Sequence, residues 1–308
     1  MKNYSECFKV VKKDCFKFIS SQETHAEKFK NKHEMVEKFL IPVCFWIARK
    51  IINNNTLIIG LSGGQGTGKT TTSSLIEIII KKYFKLNVFK ISIDDFYKTR
   101  NERISLSKKI HPLLKTRGVP GTHDINLMID FFKRVKKSKF KTILLPRFDK
   151  SVDDRVEKKK WYKIKKKPDV VIFEGWCVGA KPQKNKELKK PINDLEKNYD
   201  QSLKWRKYVN NQLLTKYKKF NNMLDYLIYL KAENFKILRT WRLKQETKLS
   251  LNSKKKKNLK IMSKQEVLIF MMTYQRITES MFKYASKYAS VLMNLNDRHL
   301  IKKIKFLK

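Results

Sequence analysis

The feature that most restricts what this chain can fold into is the loop Gly63-Gly64-Gln65-Gly66-Thr67-Gly68-Lys69-Thr70, which fits the pattern G-x-x-x-x-G-K-[ST]. Glycines let successive backbone N–H groups curl around phosphate oxygens with no Cβ in the way. A helix beginning at Lys69 adds the positive end of its dipole. The pattern has meaning only between a strand and a helix, and both are expected here. Thr56 to Leu61 is a short, apolar, β-branched run of the kind that forms a buried parallel strand, and after Lys69 the residues Leu75, Ile78 and Ile79 fall at core spacing for a helix. The reading is a site for a nucleoside triphosphate, ATP with magnesium. Gly63 to Thr70, with Thr71 after them, would surround the phosphates, Lys69 would reach the β and γ groups, and the Thr70 hydroxyl would ligate the metal. A glycine-rich turn that binds nothing is the plain alternative, and the strand–loop–helix context argues against it.

Further strands are expected at Asn87 to Ile93, Val170 to Phe173 and Tyr226 to Leu230, with a last one in the tail His299 to Phe306. Strands alternating with helices imply an α/β fold with a parallel sheet covered on both faces. Residues 1 to about 52 read as helical, with Phe39, Leu40, Val43, Trp46 and Ile47 at helical spacing, until Asn53 to Asn55 break the pattern. The expected organisation is a helical N-terminal extension, 1–55, packed on a kinase domain, 56–308, with a helical lid around 232–262. Lys254 to Lys257 is expected to be a loop.

Two acidic positions follow strands. Asp94 and Asp95 come after the second strand, at the sheet edge where open α/β folds bind ligands. Asp94 is the candidate base, accepting a proton from an attacking hydroxyl; the alternative, a helix N-cap after the strand, suits Asp95 and, less well, Asp94. Glu174 ends the run Val170 to Phe173, where a buried charge needs a partner and a magnesium site would supply one. A structural ion pair is the alternative. Arg239 and Arg242 lie three apart on one helical face, suited to closing over a transferred phosphoryl group, although a solvated basic face explains them nearly as well.

Composition narrows the function classes. With 308 residues, 41% of them hydrophobic, the chain can bury a substantial core. A net charge of +43 would ordinarily suggest a polyanionic partner. Yet only 12 of the 71 basic residues are Arg, and the lysines come in runs such as Lys158 to Lys160 and Lys165 to Lys167. We read these as solvated faces that attract anionic substrates, and expect no dedicated nucleic-acid site. The four cysteines have no CxxC spacing, so neither zinc nor a disulfide framework is indicated and a reducing cytoplasmic compartment fits. The N-terminus lacks a signal-peptide apolar stretch, and Phe39 to Ala48 is too short to cross a bilayer, so no membrane association is expected.

Several blocks beyond the glycine loop carry a resemblance. Ser92-Ile93-Asp94-Asp95-Phe96-Tyr97, Arg117 to Asp124, Leu145 to Lys150, Asp153-Asp154-Arg155, Phe173 to Gly179, Trp205 to Asn210 and Trp241 to Glu246 appear in the order shown by the D-glycerate 3-kinase family, within the uridine kinase and phosphoribulokinase-like P-loop kinases. The chain resembles that family over most of its length. The resemblance implies an α/β, doubly wound parallel sheet of the P-loop kinase fold, ATP as donor, a small hydroxy acid as acceptor, and D-glycerate becoming 3-phosphoglycerate. It also implies a base role for Asp94, a metal role for Glu174, and an acceptor pocket lined by Arg117, His123, Asp124, Arg147, Asp149, Lys150 and Arg155. Which of Arg117, His123, Arg147, Lys150 or Arg155 holds the carboxylate stays open. The sequence departs from the family at Gly64 and Thr67, where Pro and Ser are frequent, and at Ala232-Glu233-Asn234-Phe235, which replaces a more usual Ala-Pro-Ser-Phe. Rival readings are a kinase acting on a nucleoside such as uridine or a pantothenate-like acceptor, and an NTPase stimulated by nucleic acid.

Overall fold

A computed structural model of the chain describes residues 3–23, 28–52, 55–253 and 262–308. The Lys254 to Lys257 run, and Asn53 and Asn54 of the expected helix break, lie outside the described residues. The described strands are β1 (Leu57–Gly63), β2 (Val88–Ser92), β3 (Ile143–Leu145), β4 (Phe148–Asp149), β5 (Asp154–Arg155), β6 (Tyr162–Ile164), β7 (Val170–Gly175), β8 (Tyr226–Lys231), β9 (Val291–Leu295) and β10 (Ile301–Phe306). Six of them form one sheet in the order β10-β9-β8-β1-β7-β2. All neighbours pair in parallel except β10, which runs antiparallel to β9.

Every residue of β1 is buried, as a central strand covered on both faces requires. Alternation along the strands divides the core in two. Ile58, Val171 and Phe173 face a cluster with Met128, Phe131 and Phe132 from the helix Ile125–Val135. Their neighbours Ile59, Val170 and Ile172 face a second cluster with Leu75, Ile76 and Ile79 from the helix Lys69–Tyr83. The second cluster also contains Cys7, Val11 and Cys15 from the helix Tyr4–Gln22 and Val43, Cys44 and Ile47 from the helix Ile41–Arg49. All four cysteines are buried and free, and burial pushes the Cys7 and Cys15 thiols up to about 12. Among the described residues no helix is long and apolar enough to cross a membrane.

The strand expected in the C-terminal tail is β10, an edge strand whose Lys302, Lys303 and Lys305 are exposed, a pattern that discourages pairing with another chain. Its neighbour β9 and the small antiparallel pairs β3–β6 and β4–β5 have no counterpart in the sequence expectations. The long helix Phe235–Ser253 begins where Asn234 Oδ1 accepts from the Ile237 N–H at 3.0 Å, so the departure from the family's Pro-Ser leaves a capping residue in place. The helix Lys264–Tyr284 opens on a capping box formed by Ser263 and Glu266.

Candidate active site

The sheet register decides what meets at its edge. Leu61 of β1 and Ser92 of β2 both stand opposite Glu174 of β7. The glycine loop two residues beyond Leu61, Glu174 itself, and Asp94 two residues beyond Ser92 therefore leave the sheet side by side. The strand order reverses at β1, so this edge is the switch-point crevice of the fold.

Within the loop, Gly66 and Gly68 both have φ of +80°, a conformation L side chains rarely adopt. A Cβ on Gly66 would also lie 3.0 Å from Trp241 Cβ, and one on Gly64 would collide with Leu238, because the helix Phe235–Ser253 rests directly on the loop. Thr67 Oγ1 and Lys69 Nζ each donate to the Gly64 carbonyl at 2.9 Å. Burial lowers the Lys69 pKa, against the opposing pull of the Glu174 and Asp94 carboxylates. Glu174 is only 6% exposed, and its two oxygens accept from the Thr70 and Ser73 hydroxyls, each at 2.9 Å.

A magnesium ion fits this donor set. Among the described residues no three or more His, Cys, Asp and Glu gather as a metal cage. The protein offers the Glu174 carboxylate with the Thr70 and Ser73 hydroxyls in contact with it, the sparse set typical of magnesium that takes its remaining ligands from water and phosphate oxygens.

Asp94 sits in a 3₁₀ turn, Ile93–Phe96, capped by Ser92, whose Oγ accepts from the Asp94 N–H at 3.2 Å. The expectation that Asp95 caps a helix is thereby corrected. Asp95 Oδ1 instead accepts from the Phe148 N–H at 3.4 Å, tying β4 to the turn, and burial raises its pKa to about 6. Asp94 Oδ2 accepts from Lys150 Nζ at 2.6 Å. Burial by itself would raise the Asp94 pKa. The Lys150 ammonium, together with a hydrogen bond from Tyr97, outweighs it and holds the carboxylate at about 2.

The remaining acceptor-block residues are engaged with one another. Arg117 is ion-paired to Asp153, which also pairs with the buried Arg103 at 3.0 Å. Arg155 donates to the Tyr97 carbonyl at 2.8 Å and lies 3.5 Å from Asp124, which caps the helix Ile125–Val135 by accepting from the Leu127 N–H. Asp149 accepts from both the amide and the hydroxyl of Ser151, shaping the β4–β5 turn. Arg147 is exposed and lies 6.0 Å over the Tyr162 ring. His123 is 1% exposed, stacked on Tyr97 with centroids 4.4 Å apart, and its Nδ1 is 2.5 Å from Tyr217 Oη. Burial pushes the imidazole down to about 3, so it is neutral at physiological pH and does not offer a carboxylate a cation. Arg239 and Arg242 do not form a solvated face: Arg239 donates to Gln275 Oε1 at 3.1 Å and Arg242 lies 2.5 Å from Glu246.

No family model matches the chain. Individual kinases do, among them the following. Uncharacterized kinase mug58 of Schizosaccharomyces pombe is 33% identical over 225 residues, covering 70% of this chain and 78% of its own length. The chloroplastic D-glycerate 3-kinase of Arabidopsis thaliana is 29% identical over 226 residues, 68% of this chain and 47% of the plant protein. The solved D-glycerate 3-kinase of Cryptococcus neoformans matches 89% of this chain and 99% of its own with a TM-score of 0.72, at 22% identity, a likeness of fold. The chain belongs to the D-glycerate 3-kinase-like family of P-loop kinases.

This kinase is accordingly an ATP-dependent phosphotransferase for a small molecule. Its site also contains residues that sequence reasoning passed over. Ser73, which shares Glu174 with Thr70, stands three residues on along the same helix face, and that spacing is a readable signal. Tyr97 lies inside the Ser92 to Tyr97 block, yet its contact with Asp94 depends on the turn geometry. Arg103 and Tyr217 carried no signal, since their partners are mostly backbone groups of other segments: Arg103 donates to the carbonyls of Lys115 and Asp153 as well as to that of Lys98 nearby, and Tyr217 Oη accepts from the Gly121 N–H.

Proposed function

We propose that this kinase transfers the γ-phosphoryl group of Mg-ATP to the primary hydroxyl of D-glycerate, giving 3-phosphoglycerate. The observation that carries the reading is the meeting of the glycine loop, the Thr70–Glu174 pair and the Asp94–Lys150 pair at one sheet edge. Gly63 to Thr71 hold the triphosphate. Thr70 and Glu174 would hold magnesium, which would supply charge neutralisation on the phosphates. Lys69 offsets negative charge developing on the γ-phosphate, and Arg239 and Arg242 join it when they leave Gln275 and Glu246. Asp94 takes the proton of the attacking hydroxyl. The acceptor lies between the Arg117 to Asp124 segment and the β4–β5 hairpin, where Asp124 and Asp149 serve its hydroxyls and the basic side chains its carboxylate.

The relative named D-glycerate 3-kinase supports this acceptor. The reading includes residues 1–55 as a helical extension packed on the kinase domain, a lid around 232–262, and a cytoplasmic enzyme, in keeping with four free thiols. The deciding experiment offers the purified kinase D-glycerate, uridine and pantothenate separately with Mg-ATP, follows ADP release and identifies products by mass spectrometry. ADP release that needs D-glycerate, with the phosphate on its primary carbon, is expected. Release with uridine or pantothenate and none with D-glycerate would overturn the assignment.

A further inference from the structure

One cation of the acceptor blocks is paired with the proposed base. Among the cations of the acceptor blocks, Arg117 is committed to Asp153, Arg155 to Asp124 and the Tyr97 carbonyl, and His123 is a buried neutral ring. Arg147 leans on Tyr162. Lys150 differs from all of these because its partner is Asp94 itself, at 2.6 Å. It stands on the β4–β5 turn with its side chain 60% exposed, on a long flexible stem, whereas Asp94 is anchored in the capped 3₁₀ turn and is 27% exposed. An ion pair open to water on the lysine side exchanges partners at little cost. While paired, Asp94 has one oxygen occupied by the ammonium and a second neighbour in the Tyr97 hydroxyl, and is poorly disposed to accept a hydroxyl proton.

We propose that Lys150 is a specificity-determining residue: in the acceptor-free kinase its ammonium holds Asp94, and an anionic group on the acceptor draws it away, so that the base is released only when a carboxylate-bearing substrate is in place. The inference rests on the proposed site and narrows its substrate class to small hydroxy acids over neutral polyols. With Lys150 moved, the acceptor oxygen forms its bond to the γ-phosphorus. The bond from that phosphorus to the β,γ-bridging oxygen breaks, its electron pair leaving on ADP, and the hydroxyl proton passes to the Asp94 carboxylate. A neutral polyol of the same size leaves Lys150 where it is.

The other groups acting on Asp94 are Lys69 from the loop helix, His123 and Tyr97 from the segments beside it, Tyr274 from the helix Lys264–Tyr284, Cys177 after β7, and Asp95 next in the chain. Lys69 is common to every arm of the test. His123 and the tyrosines and thiol are neutral across the working range, since burial pushes the first down and the others up. Asp95, raised to about 6, titrates on its own, and an Asp95→Asn background removes it.

The test compares the kinase, in that background, with Lys150→Met and Lys150→Arg added, measuring kcat/KM for D-glycerate and for glycerol, its uncharged counterpart, as a function of pH. Lys150→Met is expected to lower the D-glycerate-to-glycerol ratio about ten- to a hundredfold, the contribution of one charge-assisted contact. The acid limb of its kcat/KM, which reports the free enzyme, should move up into the ordinary carboxylate range or above. Lys150→Arg should restore most of the ratio. Equal losses on both acceptors, or an acid limb that stays put in Lys150→Met, would overturn the inference. If the wild type uses a different hydroxy acid, the D-glycerate assignment falls while the same comparison, run on that acid and its uncharged counterpart, decides the role of Lys150. A best acceptor with no anionic group overturns both.

Discussion

The proposed donor side of this site is built on a backbone loop, with the Lys69, Thr70 and Glu174 side chains beside it, and the proposed acceptor side on side chains that already hold one another. Around the phosphates, the loop presents N–H groups whose directions are set by the positive φ of Gly66 and Gly68 and by the helix beginning at Lys69. One short segment supplies these groups, and the helix Phe235–Ser253 packs against it through Leu238 and Trp241. On the acceptor side, Asp94, Arg117, Asp124, Lys150, Asp153 and Arg155 come from several segments and are joined as ion pairs. The difference teaches where specificity is adjustable. A backbone cradle accepts any triphosphate of the right shape, whereas a set of exchangeable pairs responds to the charge of what enters.

The comparison breaks most sharply at Asp94. Asp94→Asn should cost about a hundred- to ten-thousandfold in kcat, the usual range for a lost general base, while nucleotide affinity stays near that of the wild type. A variant with full turnover would remove Asp94 from the base role, and steady-state kinetics beside nucleotide titration reads both quantities. Gly66→Ala addresses the donor side. Left-handed backbone on a residue with a Cβ costs about 1–2 kcal/mol, and the contact with Trp241 adds to it, so ATP affinity should fall about tenfold or more with the acceptor KM little changed. Unaltered ATP affinity would mean that the loop does not need this conformation. Ser73→Ala gives the smallest effect. Losing one of the two hydroxyls on Glu174 should cost about 1 kcal/mol, or roughly fivefold in kcat/KM, and should raise the magnesium concentration needed for half-maximal rate. An unchanged magnesium dependence would separate Glu174 from the metal.

The same contrast explains what could be read from the sequence. The loop, its strand and its helix are contiguous, and their glycine pattern and hydrophobic spacing state a local requirement, so β1, β2, β7 and β8 fall within a few residues of where periodicity placed them. Glu174 is legible because it ends an apolar run. The acceptor side needed register that no short window contains. That Asp95 ties to Phe148 rather than capping a helix, and that Arg117 is held by Asp153, both depend on segments distant in sequence. The strand β9 was missed because Val291 to Leu295 is short and follows a long helix with no glycine or proline signal between them.

The grip of the glycine loop and Lys69 on a magnesium nucleotide underlies both sides of the comparison, and calorimetric titration with Mg-ATP tests it most directly. The wild-type kinase should give a saturable heat of binding, and Lys69→Ala, lacking one charge-assisted contact, should bind about ten- to a hundredfold more weakly. Absence of binding to any magnesium nucleotide by the wild type, or equal affinity in the variant, would contradict it.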